Sequence, residues 1–192
     1  ILYLLYYFNY LLLYLINMSD NYENEKIQII AFSTSGKDPT PNDIFTAFLE
    51  QYNHSMKKKT SRGMAFSMTL NDEEKPKKIM ICTIFDLNIE YIGVDEVNCY
   101  ILFIDLETED SNGKLEAIIK YIQKYCQLDK KIFIFGMVSG EEGKEKLLTK
   151  EDIIEKMDIE DNNCEYKEIN ISQIEKFSNI FMDILIYCSK HP

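Results

Sequence analysis

Ser35, Gly36 and Lys37 are the residues of this chain whose types and spacing could hold a phosphate. They follow an apolar segment of strand length, residues 26–32, and precede a segment with helical spacing. A phosphate-binding loop, G-x-x-x-x-G-K-S/T, has that place in nucleotide-binding α/β domains. Its amides approach the phosphates, its lysine contacts them and its hydroxyl holds Mg²⁺. The segment is therefore the first candidate for a binding site.

Three departures from this motif predict that the loop does not bind a nucleotide. Ala31 stands where the motif has its first glycine, and Asp38 replaces the hydroxyl residue with a negative charge. Pro39 follows and has no backbone N–H to offer a phosphate. The sequence favours a nucleotide-binding fold that has lost its nucleotide, with a plain turn between strand and helix as the alternative.

The elements that would position this loop are visible as apolar runs alternating with helical patterns. The predicted strands are residues 26–32, 64–70, 78–85, 99–106, 131–138 and 165–171, and the first three helices are residues 41–52, 112–126 and 149–157. Thr149-x-x-Asp152 and Ser172-x-x-Glu175 are expected to cap the last two helices. This order predicts a three-layer α/β fold. Its six-stranded sheet is mostly parallel, with one antiparallel strand and helices on both faces.

Composition bounds the function. The 192 residues suit one globular domain, and a formal charge of −11 argues against nucleic-acid binding. Five widely spaced cysteines without a C-x-x-C pair indicate reduced thiols in the cytoplasm. The two histidines have no neighbours at ligand spacing, and no nucleophile stands beside a base in the sequence. We therefore predict no catalytic residues, no metal and no cofactor.

The first 25 residues are expected to form a leader outside the domain, which spans residues 26–192. Residues 1–17 contain only Ile, Leu, Tyr, Phe and Asn, and the first methionine is Met18. Translated upstream sequence is the favoured interpretation, and a membrane anchor is the alternative. No basic segment precedes the apolar run and no small-residue cleavage site follows it. Membrane contact is predicted only if residues 1–17 are retained.

From Lys26 to its end, the element order resembles the Ras-like small-GTPase fold. The resemblance places the D-x-x-G motif at residues 86–89, where Asp86 is kept and Ile89 replaces the glycine. It places the base-reading N/T-K-x-D motif at residues 136–139, where Lys and Asp are both absent, and S-A-K at residues 170–172, where it is not reproduced. The remaining candidates for residual nucleotide binding are Ser35, Gly36, Lys37 and Asp86.

The chain thus resembles pseudo-GTPases, among them the Ras-like domain of adaptin-binding proteins, the Rab-like subunit of intraflagellar transport and centromere protein M. A strand ending in Asp105 and the stretch 135–143 fit the first kind best. The resemblance implies an inactive, cytoplasmic domain that binds protein partners. These would be adaptor or transport complex subunits in vesicle or intracellular trafficking. A divergent small GTPase that still binds GTP or GDP weakly is the alternative.

Two segments are candidate partner surfaces. The basic cluster corresponds to switch I of the family and comprises Lys57, Lys58, Lys59 and Arg62. The apolar set corresponds to switch II and comprises Ile89, Tyr91 and Ile92. A solvated loop and a cover for the sheet are the respective alternatives. Glu107, Glu109 and Asp110 are expected in a solvated loop after the central strand.

Overall fold

The computed structural model describes residues 26–35, 40–50, 56–59, 63–70, 77–84, 87, 97–126, 129–158, 163–173 and 175–191. The strands in these ranges are β1 (Lys26–Ser33), β2 (Met56–Lys59), β3 (Gly63–Leu70), β4 (Lys77–Ile84), β5 (Cys99–Asp105), β6 (Lys131–Val138) and β7 (Cys164–Asn170). The α-helices are α1 (Pro41–Glu50), α2 (Ser111–Tyr125), α3 (Lys150–Met157) and α4 (Glu175–Lys190), and a 3₁₀ turn at Ile171–Gln173 precedes α4.

The strands form one sheet in the order β2-β3-β4-β1-β5-β6-β7. Strands β4, β1, β5, β6 and β7 run parallel to one another, whereas β3 is antiparallel to both of its neighbours. This confirms the predicted α/β class, the mostly parallel sheet and the hairpin of β3 with β4. All strands that meet side by side in the centre therefore end at the same edge of the sheet.

The sheet has one strand more than the six predicted. Strand β2 pairs with β3 from Met56 opposite Ser67 to Lys59 opposite Met64. Its lysines, Lys57 to Lys59, were expected in a loop because the run has no apolar alternation. Lysine is common on edge strands, where its charge opposes pairing with further chains. The basic cluster thus lies in part on the edge of the sheet, and Arg62 lies outside the described residues.

Helices cover both faces of the sheet, as predicted. Successive side chains of a strand point to opposite faces, so a continuous apolar strand needs cover on both. On β1, Ile27 and Ile29 belong to the core beneath α1 and α4, whereas Ile30 and Phe32 belong to the core beneath α2 and α3. Strand β5 is buried on both faces from Cys99 to Ile104, which explains why its sequence is apolar up to the final Asp105. The result is three layers with β1 and β5 at the centre.

The two expected capping boxes have different outcomes. Thr149 accepts a hydrogen bond from the backbone N–H of Asp152 at 3.2 Å, and the Asp152 carboxylate accepts one from the N–H of Thr149 at 2.9 Å. The box at Ser172 stays a prediction, since the side chain of Glu175 lies outside the described part of the structure. The Ser172 N–H and hydroxyl donate to Asn170 Oδ1 at 2.9 and 2.7 Å. Helix α4 begins at Glu175, after the 3₁₀ turn.

Candidate functional site

The carboxyl edge of the sheet is where the parallel strands β4, β1, β5, β6 and β7 end. In open α/β sheets ligands bind beyond this edge, at points where the strand order reverses. Strand β1 is such a point, since the chain leaves it toward the side of β4 and later returns to build β5 on its other side. The edge around β1 is therefore the candidate functional site.

A buried polar cluster holds the end of β1 to β5 and α2. The Thr34 N–H donates to the carbonyl of Phe103 at 2.9 Å, and Thr34 Oγ1 accepts from the N–H of Asp105, also at 2.9 Å. The Thr34 hydroxyl in turn donates to Ser111 Oγ at 3.3 Å, at the start of α2. Both hydroxyl residues are buried. Sequence reasoning missed this cluster, because the two side-chain bonds of Thr34 join residues 71 and 77 positions apart in the chain.

Strand β1 continues beyond the point at which the phosphate motif would begin. Ala31, at the position of the first motif glycine, is buried in mid-strand between Thr83 and Ile101. The strand ends at Ser33 and α1 begins at Pro41. An extended, paired backbone uses its N–H groups in the sheet, so this position is not available to a phosphate.

Most of the predicted site residues lie outside the part of the chain that the structure describes. Ser35 is described; its N–H donates to Ser33 Oγ at 3.0 Å. The backbone of Lys57, Lys58 and Lys59 is described in β2. The predicted residues outside the described ranges are Gly36, Lys37, Arg62, Asp86, Ile89, Tyr91 and Ile92. Their grouping into a residual nucleotide site and a partner surface stays a prediction.

A cavity of about 480 Å³ opens at the carboxyl edge beside β1. One wall consists of residues 33–35 with Thr40 and Asn42 at the start of α1, and the other consists of Ile84, Leu87 and one face of α2. Ligand cavities in proteins commonly measure about 300–1,000 Å³. The cavity is thus large enough for a small organic molecule.

Further along the edge, Glu107 links the loop that follows β5 to the loop that follows β6. Its carboxylate accepts a hydrogen bond from the N–H of Ser139 at 3.0 Å and forms an ion pair with Lys144 Nζ at 3.3 Å. The Glu107 side chain is only 7% exposed, so the expectation of a solvated residue is wrong. Glu109 and Asp110 are exposed, as expected. Nothing in the sequence around Glu107 predicts its burial, because its hydrogen-bond partner Ser139 is 32 residues away.

Opposing influences set the pKa of this carboxyl group. Burial by itself raises the pKa of Glu107, but the hydrogen bonds from Ser139 and the contact with Lys144 favour the charged form. The net result is a pKa below the ordinary glutamate value of 4.5. Glu107 is therefore ionised at neutral pH and holds the β6–α3 loop against the β5–α2 loop.

Residues 136–139, which the resemblance assigns to base recognition, belong to β6 and to the packed loop that follows it. Gly136 and Met137 lie inside β6, and Met137 is buried. A Cβ at Gly136 would overlap the Tyr166 hydroxyl and Leu106. The N–H of Ser139 is already bonded to Glu107, and Gly140 packs against Asn170. The described part of this edge keeps a cavity of about 120 Å³ beside Asn170 and Gln173. This volume is smaller than that of common ligand cavities, about 300–1,000 Å³.

The described residues contain no group of three or more His, Cys, Asp or Glu side chains that could hold a metal ion. Within the same ranges, no helix has both the length and the apolar character needed to cross a membrane. No protein-family model matches the chain, and none of the curated proteins compared with it is significantly similar.

The stability of the Glu107 contact should depend on pH. Because the folded-state pKa lies below 4.5, Glu107 stabilises the fold fully above that value and loses its contribution as the pH falls through the lower folded pKa. We expect Glu107→Gln to be less stable than the natural chain in urea denaturation at about pH 7, and the difference to shrink at about pH 3.5. Glu109→Gln, in the exposed part of the same loop, is the control and should be close to neutral. A Glu107→Gln difference that grew on acidification would contradict this account.

Proposed function

We propose that this chain is a catalytically inactive, Ras-like domain that acts in the cytoplasm as a protein-binding subunit or assembly factor, in vesicle or intracellular trafficking. Two features support the fold part of the proposal. The sheet is mostly parallel with its one antiparallel strand near one edge, and helices lie on both faces. This arrangement is compatible with a Ras-like three-layer fold.

The closed edge at β6 and β7 carries the functional part of the proposal. A guanine-reading site needs an aspartate and open backbone groups after the strand that corresponds to β6. Here the Ser139 N–H is bonded to Glu107 at 3.0 Å, and Gly140 rests on Asn170. A site that lacks the polar partner of its substrate loses discrimination for it by several orders of magnitude. The geometry thus favours a domain without a nucleotide cycle.

A protein partner suits the remaining features. Lys57, Lys58 and Lys59 lie on β2, at one edge of the sheet, in a chain with a formal charge of −11. A basic edge in an acidic protein can steer an acidic partner surface to one place. Arg62 and the apolar set Ile89, Tyr91 and Ile92 lie outside the described residues and stay predicted members of a partner surface. The acidic charge disfavours nucleic acid as the partner.

Thermal unfolding tests the loss of nucleotide binding. We expect the melting temperature of the full chain to stay unchanged in millimolar GTP, GDP or ATP with Mg²⁺. A ligand present at 100 times its Kd would stabilise the fold by about 2.7 kcal/mol, which is easily detected. A guanine-specific increase that disappears in Lys37→Ala would contradict the proposal and support the alternative, a divergent small GTPase that binds weakly.

The proposed protein binding at β2 is tested by charge reversal in the full chain. Reversal of the edge charge, by changing Lys57, Lys58 and Lys59 to Glu, should reduce recovery of proteins that copurify with the natural chain from its own cells. The matched control changes Lys120, Lys124 and Lys130 to Glu, which adds the same negative charge on α2 and just before β6. Equal losses in both variants would show that net charge alone matters and would argue against a partner surface at β2.

A further inference from the structure

The cavity beside β1 has two walls that differ in polarity. The wall on the side of Ile84 and Leu87 is apolar and continues over Ala117 and Ile118 of α2. The wall on the side of α1 is polar, and Lys114 stands on the same face of α2 as Ala117. No acidic side chain is among the described residues that line the cavity. A ligand with one polar end and an apolar body matches this division.

Three of the four hydroxyl groups of the polar wall donate hydrogen bonds within the protein. Ser33 donates to the carbonyl of Ser35 at 3.3 Å, and Thr34 donates to Ser111 at 3.3 Å. Thr40 donates to the Asp43 carboxylate at 2.6 Å. A hydroxyl has a single hydrogen to give. These three residues therefore shape the wall but do not supply donors to a ligand.

Asn42 supplies one donor group to the cavity. Its Oδ1 accepts the hydroxyl hydrogen of Thr83, on β4, at 2.7 Å. This bond uses Oδ1 as its acceptor and leaves the two Nδ2 hydrogens for another partner. No described residue accepts a hydrogen bond from Nδ2 within the cavity wall.

Lys114 supplies the second donor, which is also a cation. It is exposed on α2 and lines the cavity. The described residues give it no ion pair; the acidic side chains near by in the sequence, such as Asp110 and Glu116, do not reach its amine. An ammonium and an amide N–H₂ together match the two oxygens of one carboxylate. A polyphosphate would need several more cations than the described wall provides.

We propose that this cavity binds a small organic carboxylate. The carboxylate head lies between the amine of Lys114 and the amide of Asn42, and the apolar body lies along Ile84, Leu87 and Ile118. This site is separate from the closed edge at β6, and the proposal does not rest on the proposed function. It assigns to the fold a small-molecule ligand in addition to any protein partner.

Titration calorimetry on the full chain tests the proposal with 4-phenylbutyrate as the probe. We expect saturable binding of this compound. We also expect no binding of butyrate, which lacks the apolar body, or of 4-phenylbutyramide, which lacks the charge. Lys114→Gln should weaken binding by about tenfold, the effect of losing one charge-assisted hydrogen bond. Ala117→Phe should abolish it by filling the apolar half.

Lys120→Gln is the matched control, since Lys120 is exposed on the same helix but does not line the cavity. It should bind the probe like the natural chain. Unchanged melting temperatures would show that Lys114→Gln and Ala117→Phe are folded, as expected for exposed positions. Absence of probe binding to the natural chain, equal affinity of Lys114→Gln and Lys120→Gln, or equal binding of the neutral amide would each overturn the proposal. Absence of a nucleotide effect on melting would leave it unaffected.

Discussion

Replacement of Phe45 by alanine should destabilise the fold by about 3–5 kcal/mol, because it removes a large ring from a packed core. Phe45 lies on α1 and is 0% exposed. Its ring centre lies 5.9 Å from Phe66, 5.7 Å from Phe103, 6.1 Å from Phe177 and 5.2 Å from Phe181. These rings come from two strands and from α4, so one side chain joins three parts of the chain. A cavity at this point cannot be filled by the movement of a single neighbour.

Urea denaturation of the full chain measures the effect as a shift of the midpoint at constant slope. Ile186→Ala is the control, since Ile186 lies on α4 but is 43% exposed. It should cost less than about 1 kcal/mol, because little apolar surface is removed from the interior. A loss of similar size in both variants would contradict the view that Phe45 joins α1 to the sheet and to α4. The stability of the site depends on that junction, since Thr40 and Asn42 stand at the start of α1.

Gly140→Ala should cost about 2–4 kcal/mol, for two reasons that add. Gly140 has φ +77°, a left-handed conformation that a side chain disfavours. A Cβ at this position would also overlap the side-chain amide of Asn170. Asn170 cannot turn away freely, since its Oδ1 accepts the N–H and the hydroxyl of Ser172 at 2.9 and 2.7 Å. The β6–α3 loop would have to lift from the end of β7.

Gly143 offers a matched control in the same loop. Its φ is +85°, equally left-handed, but a Cβ there would meet nothing within 4 Å. Gly143→Ala should therefore cost only about 1 kcal/mol, from the backbone conformation alone. The difference between the two variants in urea denaturation isolates the overlap with Asn170. Equal costs would mean that the loop is not packed on β7, and would weaken the main support for a closed base-reading edge.

The Gly140→Ala variant also bears on the proposed function. In the natural chain Gly140 allows the loop to lie close to Asn170, while Ser139 is bonded to Glu107. Opening this loop would free the Ser139 N–H and the end of β6 together. If Gly140→Ala remained folded at low temperature and gained binding of a nucleotide base, the closed edge would be the cause of the lost binding. We expect no such gain, because the chain has no aspartate at residues 136–139 to read a guanine.

Much of the architecture was predictable because it depends on local patterns. Apolar runs such as residues 99–104 are typical of strands buried on both faces, and Leu115, Ile118 and Ile122 repeat with the helical period. Alternation of strands with helices then requires a mostly parallel sheet, with its carboxyl ends at a common edge. The Thr149 capping box was also predictable, because both of its partners lie within one turn of helix.

Features that depend on pairing were not predictable. Strand β2 has no apolar alternation and exists through its register with β3. The bonds from Ser172 to Asn170 were not predictable, because the acceptor Asn170 becomes available only at the end of β7. The predicted site residues Gly36, Lys37 and Asp86 lie outside the described ranges, so their part in a site stays a prediction. Of that predicted set, the structure places Ser35 in the wall of the cavity.

The sequence by itself determined the α/β class, the order of the elements and the departures from a phosphate-binding motif, since these follow from residue types over short spans. Only the tertiary structure decided which groups meet at the carboxyl edge. It brought Thr34 to Ser111, Glu107 to Ser139 and Asn42 to Thr83. Each pair is separated by more than thirty residues in the chain. The physical reason is that hydrogen bonds form wherever the packed strands place a donor near an acceptor, and strand order is set by the whole core.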